Sequence, residues 1–417
     1  MTAAQSLSLV LLVLCLVLAI WQRMNIGVLA LAAALPVLAL SHLDPTVMYD
    51  TFPGSIFVLI AGVSLLFAHL ERSGALGLFV DKVYAAIGPR HWLLPWAGFL
   101  IGGALTTAGA FSTAPIAFLV PIVAHVGVRS RKTFLLCELA VIIGANTAGL
   151  SPLNPTGAVV RSAAAKFGVT YSGWGLWAVS VAVAVVVVAL LQILSAVTAR
   201  RGHPFEVTPA PAAAHDDAGP PNVKYMVCSG LALLAFLLLV VIAKTDVGVT
   251  AMCLAALLQI TFRPVERQLL SRIPWHSILL LCGLLTYLGL MQKIGTMDSI
   301  AHILRHLGAG ALLILVIAYL TALLCNIESS TLGVLGLVMP IAFGTFGHTG
   351  IAFWVAAAVC VPAALMVMNP IHVAGVLIIG NSSVENQDVL FRWLLGLAAC
   401  LAVIAPGLMA IIPIALQ

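Results

Sequence analysis

The sequence predicts an all-α polytopic membrane protein. It is an inverted repeat of two five-crossing halves, each with a re-entrant hairpin and a broken helix. Three observations predict this. First, the 417 residues are 62% hydrophobic and only 8% charged, where a soluble domain carries about 25% charged side chains to cover its surface. Second, landmarks of the first half recur in the second at a constant offset. Third, positive charge gathers on one side of the resulting topology. The composition excludes a soluble enzyme, a nucleic-acid binder and a disordered scaffold, and the net charge of +5 is scattered and forms no basic stripe. The eight cysteines lie singly in apolar segments with no C-x-x-C pair, so neither a zinc site nor a redox motif is indicated.

A spanning helix needs about 20 mostly apolar residues. Residues 1–5 carry no positive charge and no small-x-small cleavage site follows, so 6–21 reads as a retained first helix. Further spans fall at 26–42, 54–70, 133–160, 174–198, 224–243, 246–262, 274–291, 350–380 and 390–414. Two apolar stretches, 92–127 and 309–344, are too long for one crossing. Small polar residues interrupt each near its middle: Thr106-Thr107 through Ser112-Thr113 in the first, Asn326-Ile327-Glu328-Ser329-Ser330-Thr331 in the second. The amphipathic segments Glu71–Arg90 and Gln292–His306 are too polar to span and read as interfacial. Residues 200–223, with five prolines, read as a flexible linker. It separates a first repeat, 1–199, from a second, 224–417.

Pro53, Gly62 and Gly74 recur as Pro274, Gly283 and Gly295, each 221 residues on. Asn25-Ile-Gly-Val pairs with Asp246-Val-Gly-Val at the same offset, and Asn154-Pro155 pairs with Asn369-Pro370 in the same order along the chain. This is an internal repeat. If 92–127 and 309–344 each enter and leave on one side, each half has five crossings and the second half is inverted. Of the 19 Lys+Arg, only Arg161, Lys166, Lys244, Lys293 and Arg305 then lie on one side, leaving 14 on the other. By the positive-inside rule the richer side is the cytoplasm. Full crossings would move Arg129 through Arg272 across and erase the asymmetry.

Irregular backbone at membrane depth is tolerated only inside protein or beside water. The two hairpin tips are such places. So are two breaks in long spans, Asn146-Thr147 through Gly157 and Met368 through Gly375. A half-helix N-terminus presents free N–H groups to an anion, while unwound carbonyls suit a cation. For a single cluster, hydroxyl back-bonding and a proline kink are the simpler reading. Four clusters in matching order point instead to a binding site. The candidates for an anion are Thr106, Thr107, Ser112, Thr113, Ser151, Asn154, Thr156, Ser330, Thr331, Asn369 and His372. Those for a cation are Asn146, Thr147, Asn326, Glu328 and Ser329. Glu328 is an intramembrane acid, hence a candidate cation ligand or proton carrier. Glu138, one turn after Arg131-Lys132, reads as a near-interface salt bridge. G-x-S-x-G, H-E-x-x-H and Walker motifs are lacking, so ATP-driven transport would need a separate subunit.

The run Pro53-Gly-Ser-Ile-Phe-Val-Leu-Ile-Ala-Gly-Val-Ser-Leu-Leu-Phe67, then Leu94-Pro95-Trp96, then Gly149-Leu-Ser-Pro-Leu-Asn-Pro-Thr-Gly157 resembles the malonate-carrier (MatC-type) dicarboxylate carriers. These are similar to the wider ion-transporter superfamily, with its divalent anion:sodium symporters and arsenite permeases. The resemblance implies secondary transport of a small carboxylate, such as malonate or a C4-dicarboxylate, coupled to Na⁺ or H⁺. It also implies an elevator motion of hairpins and broken helices against a scaffold. In the symporter branch each tip carries a Ser-Asn-Thr triplet for carboxylate and Na⁺. Here neither tip holds a clean triplet, and the second contains Glu328. No cofactor is implied beyond a Na⁺ coupling ion. The partners are the carboxylate, the coupling ion and the bilayer, with a homodimer as a candidate assembly and no nucleic acid. The location implied is a bacterial inner membrane, with both termini outside and the linker cytoplasmic. Two rivals stand beside this: an inorganic-anion or arsenite-type efflux permease on the same fold, and a membrane-embedded enzyme using Glu328 and His372. The inverted repeat speaks against the enzyme, because one site needs no access from two sides.

Overall fold

The computed structural model describes residues 2–22, 24–79, 82, 91–117, 119–120, 134–199, 222–297, 299–300, 310–327, 331–370, 372–380 and 387–417. Among them the secondary structure is helical, with no strand. The first half holds α1 (Ala3–Gln22), α2 (Ile26–Ser41), the short α3 (Thr46–Thr51), α4 (Gly54–Arg72), α5 (Leu94–Thr107), α6 (Phe134–Ala148), α7 (Pro155–Lys166) and α8 (Gly173–Ala199). The second holds α9 (Val223–Val241), α10 (Val247–Phe262), the short α11 (Glu266–Leu270), α12 (Trp275–Lys293), α13 (Gly310–Ile327), α14 (Thr331–Phe346), α15 (Ala352–Leu365), α16 (Val373–Gly380) and α17 (Gln387–Ala415). Among the described residues five helices, α4, α8, α9, α12 and α17, are long and apolar enough to cross a membrane. Leu190 and Ile193 on α8, Leu231 on α9 and Val403 on α17 are exposed, as side chains facing lipid should be. These features define a polytopic integral membrane protein.

The boundaries of α2 and α10, and of α4 and α12, coincide at the offset of 221. The caps repeat with them. Asn25 accepts from Gly27 N–H and Asp246 from Val249 N–H. His42 and Arg263 close the two helices in the left-handed region, at φ +52° and +47°. Pro53 and Pro274 open α4 and α12 with nearly the same backbone, φ −80°, ψ 65° and φ −78°, ψ 68°. Gly74 and Gly295 turn the chain at the far ends, both at φ +77°, a conformation that favours glycine.

The four helices pair crosswise. Here α2 packs on α12, and α4 on α10. At the first crossing a Cβ on Gly27 would strike the backbone of Leu279 and Leu280, and one on Gly283 would strike Gly27 itself. At the second, a Cβ on Gly248 would strike Val58 and Leu59, and one on Gly62 would strike Gly248. Every residue of one crossing lies 221 positions from its counterpart in the other. In lipid, where burial gives no driving force between helices, such close backbone approach supplies the packing.

The remaining helices build the second part of the core. α5 and α6 run in the same direction: Gly144 abuts Phe99, Gly103 lies beside Ala148, and Ser151 meets Thr107. The chain after α5 therefore turns back before α6 begins. It turns at 108–112 and is helical again at 113–117. The stretch 133–160 is two helices, α6 and α7, separated by residues 149–154. The stretch 350–380 is likewise interrupted, by a 3₁₀ turn at Met366–Met368 and irregular backbone before α16.

Candidate functional site

The first break is held to the first tip by two side chains, Asn154 and Ser151. Asn154 caps α7, its Oδ1 accepting from Thr156 N–H at 3.0 Å. Its Nδ2 donates to Thr106 O at 3.0 Å and to Ala110 O at 2.7 Å. Ser151 Oγ adds a third tie, donating to Thr107 O at 2.8 Å. Gly109, at φ +117°, lets the tip turn against Leu153 O and the Val63 side chain of α4. Both amide hydrogens of Asn154 are thus taken by carbonyls of the tip, and the residue is fully buried.

The second half repeats the device. Asn369 Nδ2 donates to Asn326 O and to Asn326 Oδ1, both at 2.9 Å. Asn326 in turn donates to Ala322 O at 2.8 Å and lies 3.0 Å from Met366 Sδ. His372 caps α16, its Nδ1 accepting from Ala374 N–H at 3.4 Å. The two halves meet through Asn146, whose Nδ2 donates to Ala364 O at 2.6 Å. Thus the ends of α5, α6, α13 and α15, and the starts of α7 and α16, are tied into one cluster.

Two polar atoms in this cluster, Thr106 Oγ1 and His372 Nε2, and a third at the start of α14, Thr331 Oγ1, are buried without a hydrogen-bond partner. Buried polar groups are nearly always paired, so each of these three is free to take a water, an ion or a ligand as its partner. One comes from the first tip, one from the start of α14, one from the second break. No Lys or Arg is buried among the described residues. An anion held here would be met by N–H groups, hydroxyls, the imidazole and any cation bound with it.

The other candidates divide. Thr107 is half-buried, its Oγ1 accepting from Trp177 Nε1 at 3.0 Å. Thr147 donates within its own helix to Ile143 O, and its carbonyl accepts from Ser180 Oγ. Ser112, Thr113 and Thr156 are half-buried, Ser112 beside the first tip, Thr113 at the start of the returning helical segment and Thr156 in the first turn of α7. Glu328, Ser329 and Ser330 lie outside the described residues. Sequence reasoning missed Trp177 and Ser180 on α8 and Met366. Their only signal was a lone polar or soft side chain in an apolar helix.

One reading is corrected. Glu138 is fully buried, with both carboxylate oxygens unpartnered, and it makes no salt bridge. Every residue from 135 to 145 of α6 is buried, so this turn is closed off from water.

Long apolar helices, together with interrupted helices tied to one another by Asn154, Asn146 and Asn369, define the class: a polytopic integral membrane protein. A family model described as the N-terminus of dicarboxylate carrier protein MatC matches residues 2–149, from α1 to the end of α6. The fold is similar to the crystal structure of the Alcanivorax borkumensis YdaH transporter, described as having an unusual topology. That match has a TM-score of 0.63 and 16% identity, and covers 88% of this chain and 87% of that one. No curated protein matches the chain. The description of the family model and that of the structural neighbour both name transport proteins.

Proposed function

We propose that the chain is a secondary active transporter of a small carboxylate, a dicarboxylate such as malonate or a C4-dicarboxylate. It works by an elevator mechanism and is coupled to Na⁺ or H⁺. The observation that carries this reading is the doubled clamp: Asn154 on the tip at Thr106 and Ala110, and Asn369 on Asn326. Each break and its own tip form one unit, and Asn146 joins the two units. Such a unit moves as a block while keeping its site intact.

The unpartnered Thr106, Thr331 and His372 supply donors for carboxylate oxygens. With no buried Lys or Arg among the described residues, part of the substrate charge falls to a co-transported cation. The crosswise pairing of α2 with α12 and α4 with α10 supports an inverted repeat, in which those four helices are the scaffold. The common direction of α5 and α6 supports a re-entrant hairpin over 92–127, and with it a cytoplasmic linker at 200–223. The match of residues 2–149 to a dicarboxylate-carrier family supports the substrate class.

The test is uptake of labelled malonate and succinate into proteoliposomes, with Na⁺ and pH gradients imposed separately. Accumulation of either under one gradient is expected. No accumulation and no counterflow of any small carboxylate would refute the reading. Arsenite or inorganic-anion movement in the same vesicles would favour an efflux permease.

A further inference from the structure

Glu138 has no place in the site just described. It lies on α6, eight residues before Asn146, or about 12 Å along the axis at 1.5 Å per residue. Thr106, which abuts Gly149 at the end of that helix, is farther still, about 16 Å. The carboxyl is fully buried and neither oxygen has a partner. An ionised carboxylate placed so would be a buried charge with no counter-charge among the described residues, which is strongly disfavoured.

Among the described residues, no helix packed against it offers that charge. The described elements packed on α6 are α5, α8, α15, the 3₁₀ turn at Met366–Met368 and α16. Their residues contain no Asp, Glu, Lys, Arg or Tyr. Their sole titratable side chain is Cys360 on α15, with His372 just ahead of α16 and Cys137 on α6 itself, and none of these bonds to Glu138. A Na⁺ ion is a poor occupant, because it needs several oxygen ligands together. The other unpartnered buried oxygens, on Thr106, Thr331 and Gln259, sit on α5, α14 and α10. A proton needs one carboxylate oxygen and no more. The second repeat has no counterpart, since α15 carries no charged residue, so the repeat architecture does not require the acid.

We propose that Glu138 is a proton-binding site of this carrier, loaded from water on one side of the membrane and emptied on the other as α6 moves. This rests on the transport reading above. In each cycle the carboxylate takes one proton from water, is carried neutral through the buried state and returns the proton to water across the membrane. Coupling to the substrate runs through the rigid helix, not through contact.

The test uses the full chain in proteoliposomes holding a pH dye. It measures labelled-malonate counterflow, uptake under an imposed pH gradient, and proton movement on adding malonate. Wild type is expected to show all three. Glu138→Gln should lose at least tenfold in gradient-driven uptake and in malonate-linked proton movement, while counterflow stays measurable. Glu138→Asp should restore coupling, which a role in packing alone would not predict. The inference is overturned if the Gln variant keeps its proton movement, or if wild type shows counterflow but moves no proton. It is also overturned if the Gln variant loses counterflow too and Asp restores neither. Absence of counterflow in wild type refutes the transport reading itself, and this inference with it.

Discussion

Replacing Asn154 by alanine removes three hydrogen bonds at once, and their geometry sets the size of the effect. Thr106 O keeps a second donor, Gly109 N–H at 3.0 Å, and loses little. Ala110 O loses the amide at 2.7 Å and is left buried without it, which costs about 1–3 kcal/mol. The Thr156 N–H loses its cap, worth about 1 kcal/mol. The sum, about 2–4 kcal/mol, shifts the equilibrium between docked and loosened tip by roughly 30- to 1,000-fold. Most of the fold is remote from this point, so the protein should still insert and purify with a lowered Tm. Uptake of labelled substrate should fall by at least tenfold. Asn154→Asp is the sharper variant. It keeps the oxygen that caps α7 but turns the two donor hydrogens into an acceptor facing two carbonyls. It should therefore transport no better than the alanine variant. A wild-type rate in Asn154→Asp would refute the clamp, because the donors would then be dispensable.

Thr106→Val and Thr331→Val each remove a buried hydroxyl that has no protein partner, so Tm should hold or rise, while the KM for substrate rises or uptake is lost. If Tm falls by several degrees, these hydroxyls are structural. Gly283→Ala puts a methyl into the backbone of Gly27 and should destabilise by about 3 kcal/mol or more. Gly230→Ala, on α9 with nothing within 4 Å, should be neutral or stabilise by up to about 1 kcal/mol; equal Tm shifts in the two would deny the close crossing. In a chain freed of its native cysteines, Cys placed at Arg129, His203 and Arg267 should label from the cytoplasm, and labelling of any one only from outside would make one hairpin a full crossing.

Much of the helical layout was legible because lipid demands long apolar runs and leaves few alternatives. The ends of α2, α4, α10 and α12 fall within two residues of the spans read from composition. The interruption before Asn154-Pro155 was legible because proline cannot donate and clashes with the preceding turn. What Asn154 does there was not. Its type suggested a ligand for the substrate, whereas the fold takes both amide hydrogens for Thr106 O and Ala110 O. Glu138 was misread for a related reason. Its neighbours in sequence, Arg131 and Lys132, suggested a pair near the interface, and only the burial of residues 135–145 shows that the turn is sealed. The crosswise pairing of α2 with α12 was invisible too, because a repeat in sequence states which segments are alike and not which ones touch.

That crosswise pairing bears on how the chain is made. While the ribosome is still completing the linker, α2 and α4 are already in the membrane, but the surfaces at Gly27 and Gly62 have nothing to close against. Their partners, Gly283 and Gly248, belong to the half not yet synthesised. A chain stopped near residue 200 should therefore be an unfinished guest of the insertion machinery and its proteases, not half a carrier. Two separately translated halves, cut within 200–221, keep both glycine crossings, since α2 with α12 and α4 with α10 are joined by packing across the two halves.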